Sequence, residues 1–173
     1  MNTFAKKLTE FSGFFKEKSP LLLAFFLIVI VAIPIDVFSK LLRIENLEEV
    51  KAIAGFIKET PLKDLAFELL VIAPLTQEFL YRGPVRLLIL LWPGLDKAGA
   101  LGKIVAWTCI IIPTYYWAKI EGGGHAFPLD AFFVGLIFGW SVLKTKSLET
   151  AVALHIFYNA TNLIGALIRF KVL

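Results

Sequence analysis

Glu78 and Arg82 set a carboxylate and a cation four residues apart, on one helical face and within ion-pair reach. They lie inside a hydrophobic stretch, residues 65–92, which is apolar on both sides of them. An ionisable residue at bilayer depth costs about 2.5–3.5 kcal/mol on insertion scales, so such a pair is a site hypothesis by default. His155 and Asn159 repeat the four-residue spacing on another apolar run. A carboxylate as general base, with an imidazole or amide as donor to an oxyanion, supplies the parts of a water-mediated peptide hydrolysis. The plainer alternatives are an ion pair that pins two helices and a hydrogen-bonded core histidine.

Other chemistries fit less well. No Ser or Cys is partnered with a histidine in a nucleophilic arrangement. Zinc needs about three ligands, and the chain has two histidines without a His-Glu-x-x-His helix. Only Glu78, His125 and His155 together would make a metal set. The expectation is therefore no cofactor, with a metal at that trio as the alternative.

Composition says where these pairs must sit. The 173-residue chain is 58% hydrophobic and 18% charged, against about 45–50% and about 25% in soluble domains. Mean hydropathy is +0.76. This predicts an all-α, polytopic helical integral membrane protein, a single membrane domain over residues 1–173. The net charge of +4 is spread over tails and loops with no basic stripe, so membrane lipid is an expected partner and nucleic acid is not. Cys109 is alone, which rules out an internal disulfide.

The positioning elements follow in order. Residues 1–18 interleave Lys6, Lys7, Lys16 and Lys18 with phenylalanines, a basic amphipathic lead-in suited to a membrane surface. Ser19-Pro20 opens a helix whose apolar run reaches Leu42, about 33 Å at 1.5 Å per residue. No small-residue cleavage signature follows, so a retained anchor is expected rather than a signal peptide. Residues 44–59 form an amphipathic interfacial helix. Thr60-Pro61 starts the helix of Glu78, with a kink expected at Pro74 and a second break at Gly83-Pro84. Trp92-Pro93-Gly94 ends it. A third span begins near Ala98 and ends in Tyr115-Tyr116-Trp117, read as an interfacial aromatic belt. A loop at 121–125 precedes a fourth helix, Leu129–Leu143, with Gly135 and Gly139 spaced for close packing. The fifth, Leu148–Phe170, carries His155 and Asn159. That makes about five membrane helices plus the interfacial one.

Alternating the ends of five spans puts Lys6, Lys7, Lys16, Lys18, Lys97, Lys103, Lys144 and Lys146 on one side. Lys40, Arg43, Lys51, Lys58, Lys63, Lys119, Arg169 and Lys171 fall on the other. The two sides are equally basic, so charge assigns no orientation.

At its polar pairs the sequence resembles the CPBP intramembrane proteases (CAAX prenyl protease and bacteriocin-processing, or type II CAAX prenyl endopeptidase-like). Their first motif, Glu-Glu-x-x-x-Arg followed by Gly, is matched by Gln77-Glu78-Phe79-Leu80-Tyr81-Arg82-Gly83 after Ala73-Pro74. Their third, His-x-x-x-Asn, is matched by His155-Ile156-Phe157-Tyr158-Asn159. The glycine helix at 135–139 and the basic turn at 144–148 look like the family's as well, and the resemblance covers roughly residues 65–165. It implies an endopeptidase acting in the membrane on a hydrophobic or prenylated peptide. The first glutamate and a second-motif histidine would activate water, and His155 and Asn159 would stabilise the oxyanion.

Two positions depart from the pattern. Gln77 stands at the first glutamate, and Lys119 stands where Phe-x-x-x-His should end, with His125 six residues on as the other candidate. Three readings follow: an active protease with altered residues, a family member that binds a hydrophobic peptide or membrane partner without cleaving it, or an unrelated small polytopic membrane protein whose polar pairs are structural or line a transport path.

Overall fold

Proline and glycine punctuation sets the helix boundaries. In the computed structural model, which describes residues 20, 22–29, 55–57, 59–121 and 128–169, no strand occurs among the described residues. Pro61 caps α1 (Leu62–Phe67), with Asp64 in its first turn. The chain continues through a π-helical turn, Glu68–Ile72, into α2 (Ala73–Leu91). After Trp92-Pro93-Gly94, a short 3₁₀ turn and Gly99 at φ 63° lead into α3 (Gly99–Glu121). α4 (Leu129–Thr145) follows Pro128 and is closed by Lys146 in the left-handed conformation, φ 55°. α5 is Leu148–Arg169.

Short connections make these successive helices antiparallel. Each of α2 to α5 packs on its neighbour, α5 returns to α2, and α2 meets α4 across the diagonal. The described segment 22–29 is helical; its Ala24 and Ile28 are buried in the main core, and Phe25 lies 4.5 Å from Phe157 of α5 between ring centroids.

The polarity is inside out. Glu78, Arg82, Thr114, Ser141 and His155 are buried, while Phe79, Leu80, Leu91, Leu101, Ile104, Ile120 and Ile168 are exposed. An apolar exterior of this extent suits lipid. By length and composition, one helix among the described residues, Leu148–Ile168, is long and apolar enough to cross a membrane. The expected count of five is thus not met by this measure. α2 carries Glu78, Arg82 and Arg86, α4 has 17 residues, and α3 mixes its isoleucines with Lys103, Lys119, threonines and indole and phenol rings.

Other expectations change as well. At Pro74 the helix widens into the π-turn that precedes it, and at Gly83-Pro84 α2 runs on unbroken with Pro84 on the exposed side. Trp117 points into the core rather than joining a belt, while Tyr115 and Tyr116 are exposed. The lead-in 1–18, most of the first apolar run, the interfacial helix 44–59 apart from 55–57 and 59, and His125 lie outside the described residues.

Gly135 sets how closely α4 can approach. A Cβ there would lie 2.7 Å from both Arg82 Nη2 and Thr114 Cγ2, and 2.9 Å from Trp117 Cε3. At Gly83 it would meet nothing within 4 Å. Gly135→Ala should therefore destabilise the protein by about 1–3 kcal/mol through overpacking. Gly83→Ala should stabilise it by up to about 1 kcal/mol through helix propensity. Thermal unfolding in detergent micelles reads both, and equal melting of the two variants would remove this account of the α2–α3–α4 contact.

Candidate active site

The sequence puts Glu78 and Arg82 on the inner face of α2, and folding brings His155 of α5 against them. Glu78, Arg82 and His155 are 0%, 1% and 2% exposed. His155 Nδ1 lies 2.8 Å from Glu78 Oε1. A carboxylate only accepts, so Nδ1 carries the hydrogen and donates it, leaving Nε2 with a lone pair in the neutral ring. Arg82 Nε lies 3.4 Å from Glu78 Oε2, an ion pair within one helical turn. The carboxylate thus stands between an imidazole and a guanidinium.

Aromatic rings enclose this group. The Arg82 guanidinium carbon sits 4.8 Å from the Trp117 ring centroid and 5.7 Å from that of Phe138. Contacts of this kind contribute about 0.5–2 kcal/mol each, more when desolvated. Phe138 also stacks on His155 at 5.2 Å, and Trp117 meets the same imidazole edge-on at 5.7 Å. Arg82 Nη1 and Nη2 and Thr114 Oγ1 are buried without a hydrogen-bond partner. Donors left free beside a buried carboxylate–imidazole pair can stabilise negative charge that develops there.

Gln77, the neighbour of Glu78, leaves this cluster by the turn of the helix. Its Oε1 accepts from Trp117 Nε1–H at 2.8 Å, and its Nε2 donates to Glu121 Oε1 at 3.0 Å. An amide can do both, whereas a carboxylate at this position would face Glu121 with like charge. Lys119, two residues before Glu121, is exposed, and the interior position on that turn of α3 belongs to Trp117.

Asn159 points elsewhere. Its Nδ2 donates to the Leu69 carbonyl at 2.8 Å, within the π-turn. The Ala73 N–H bonds back to Glu68 O, five residues earlier. In that register the donor due to Leu69 O is the nitrogen of Pro74, which carries no hydrogen. Asn159 fills that place and ties α5 to the helix that carries Glu78, leaving a second amide hydrogen free.

Asn159→Ala should cost about 1 kcal/mol, the loss of a hydrogen bond to a half-buried carbonyl. In a Pro74→Ala background, where a backbone N–H is restored, the same change should cost clearly less. A double-mutant cycle by thermal unfolding measures this coupling. Additive costs would mean that Asn159 does not stand in for the missing donor.

Trp117, Phe138, Thr114, Glu121 and the Leu69 carbonyl are parts of the site that sequence reading missed. The available signal was the spacing of Ala106, Ile110, Thr114, Trp117 and Ala118, which share one face of α3. Among the described residues no three His, Cys, Asp or Glu side chains gather to hold a metal, and the trio of Glu78, His125 and His155 stays open at His125.

With this geometry established, comparison adds one finding. A family model described as type II CAAX prenyl endopeptidase Rce1-like matches residues 64–161, more than half of the chain. No curated protein and no solved structure matches.

Proposed function

Since the chain belongs to the type II CAAX prenyl endopeptidase Rce1-like family, a membrane-embedded family of proteases, we propose that it hydrolyses a peptide bond in a prenylated or similarly hydrophobic peptide at the Glu78–His155 pair. The observation that carries this reading is the 2.8 Å contact between Glu78 and His155, buried and drawn from two helices. Glu78 orients the imidazole and stabilises its charged form. His155 Nε2 takes a proton from water, the water oxygen attacks the scissile carbonyl carbon, and the proton then passes to the leaving amine. Arg82 supplies positive potential for the oxyanion, and Asn159 acts through its bond to the Leu69 carbonyl, which holds α5 and His155 against the helix of Glu78. Glu78, Arg82 and His155 are the residues assigned to catalysis, with Asn159 positioning α5 and Gln77 supporting Trp117.

The reading is multi-pass. The helices α3, α4 and α5 have 23, 17 and 22 residues, or about 34, 25 and 33 Å at 1.5 Å per residue. The stretch through α2 would cross beside them, and the fifth span expected from the sequence at 21–42 lies mostly outside the described residues.

A second reading is favoured by one observation. Gln77 is committed to Trp117 and Glu121, so the position that the family pattern gives to a water-activating glutamate holds an amide. In that case the protein binds a hydrophobic peptide without cutting it. The test is cleavage of a farnesylated peptide ending in Cys-a-a-X by the purified protein in liposomes, with Glu78→Gln as control.

A further inference from the structure

At the opposite end of α2 the bundle forms a second feature, outside the proposed catalytic group. A cavity of ≈ 410 Å³ is lined by Trp92, Trp107 and Trp140 together with Lys103, Lys144 and Lys146. Its apolar wall includes Ile89, Ala106 and Leu143. Trp92 is fourteen residues beyond Glu78, about 21 Å along a helix. The three lysines come from the start of α3 and the end of α4, which the antiparallel bundle brings to one level. All three are exposed. Next to Trp92 and Lys103 in the chain, Leu90, Leu91, Leu101 and Ile104 are exposed, so this end of the bundle carries apolar surface as well as ammonium groups.

We propose that this cavity is a binding site for an anionic phospholipid of the surrounding bilayer. The lysines hold the phosphate, the indoles sit at headgroup level, and an acyl chain lies along the apolar wall. Charge complementarity selects the headgroup, since three cations converge on one opening. The apolar wall of the cavity, with exposed leucines beside Trp92 and Lys103 in the chain, selects a lipid over a free anion.

The backbone gives independent support. Lys146 is the one non-glycine residue with positive φ among the described residues, and its N–H bonds to Val142 O at 2.8 Å as the C-cap of α4. That position ordinarily takes Gly or Asn, which adopt the left-handed conformation at lower cost. A lysine kept there at the expense of backbone strain is accounted for by a side chain that lines the cavity.

Three of the four tryptophans line this cavity, and the fourth, Trp117, is buried in the core. The protein in phosphatidylcholine nanodiscs can therefore be titrated with brominated phosphatidylglycerol while its fluorescence is read. We expect quenching at low mole fraction, with brominated phosphatidylcholine much weaker. Replacing all three lysines (Lys103→Gln, Lys144→Gln, Lys146→Gln) should raise the half-quenching fraction on the order of 10-fold or more. Lys97→Gln, at the same end but outside the cavity, should leave it unchanged. Lys146→Asn should raise the melting temperature in phosphatidylcholine and still weaken quenching by the anionic lipid. Wild-type quenching in the triple variant, or an equal loss in Lys97→Gln, overturns the proposal. So does full reversal by glycerol phosphate alone, which would make the site one for a free anion.

Discussion

Arg82→Ala should lower stability by about 3–5 kcal/mol, the cost of leaving a buried carboxylate without its partner. Glu78 is fully buried, its Oε2 faces Arg82 at 3.4 Å, and that oxygen has no hydrogen bond to fall back on. The substitution also empties the space between Trp117 and Phe138 and removes both cation–π contacts. Arg82→Lys keeps a charge but loses the planar fork, so an intermediate loss is expected. Glu78→Gln with Arg82→Met removes both charges together and should recover most of the stability. Unfolding in detergent micelles, followed by intrinsic fluorescence, measures the series. If Arg82→Ala melts like wild type, the pair is hydrated and the enclosed-site account fails. If the double variant is no better than Arg82→Ala, the loss comes from packing rather than from charge.

Much of this arrangement was legible in the sequence, for a physical reason. Charged and amide side chains inside apolar runs are expensive, so their four-residue spacing marks a face that must turn inwards. Glu78 with Arg82, and His155 with Asn159, were found that way, and prolines and glycines marked the helix ends. What could not be read is which apolar face is buried. In a lipid-facing bundle the exterior is as hydrophobic as the core, so hydropathy no longer separates them. Tyr115, Tyr116 and Trp117 show the consequence. Three consecutive rings looked like one belt, yet successive helical side chains point about 100° apart, and the third of them closes over Arg82. Pro74 shows another limit. A missing N–H can be met by a kink or by a donor from another helix, and only the folded chain shows that Asn159 supplies it. Gln77 is a third case, since its role depends on Glu121, forty-four residues away.

Cleavage should be slow in the wild type and should depend on the Glu78–His155 pair. Glu78→Gln keeps an oxygen that can accept from Nδ1–H but removes the charge that stabilises the imidazolium. His155→Ala removes the base itself. Each should reduce cleavage of a farnesylated peptide by about 10²–10⁴-fold, the usual contribution of a positioned general base. A stronger test exchanges the groups at positions 77 and 121. Gln77→Glu with Glu121→Gln preserves both hydrogen bonds: the amide now donates from position 121, and the carboxylate accepts it while still receiving Trp117 Nε1–H. Net charge is unchanged, and the carboxylate moves from the exposed end of α3 to the position where the family pattern has its water-activating glutamate. If the carboxylate at position 77 activates water as in the family pattern, that exchange raises cleavage by about 10²-fold or more; an unchanged rate means that a side chain held on Trp117 and position 121 stays out of the reaction. If Glu78→Gln or His155→Ala leaves wild-type cleavage intact, the pair is not the base and the proposed mechanism is wrong. If neither the wild type nor the exchanged variant cleaves, while both retain the farnesylated peptide in liposomes, the protein is a binder of hydrophobic peptides built on a protease fold.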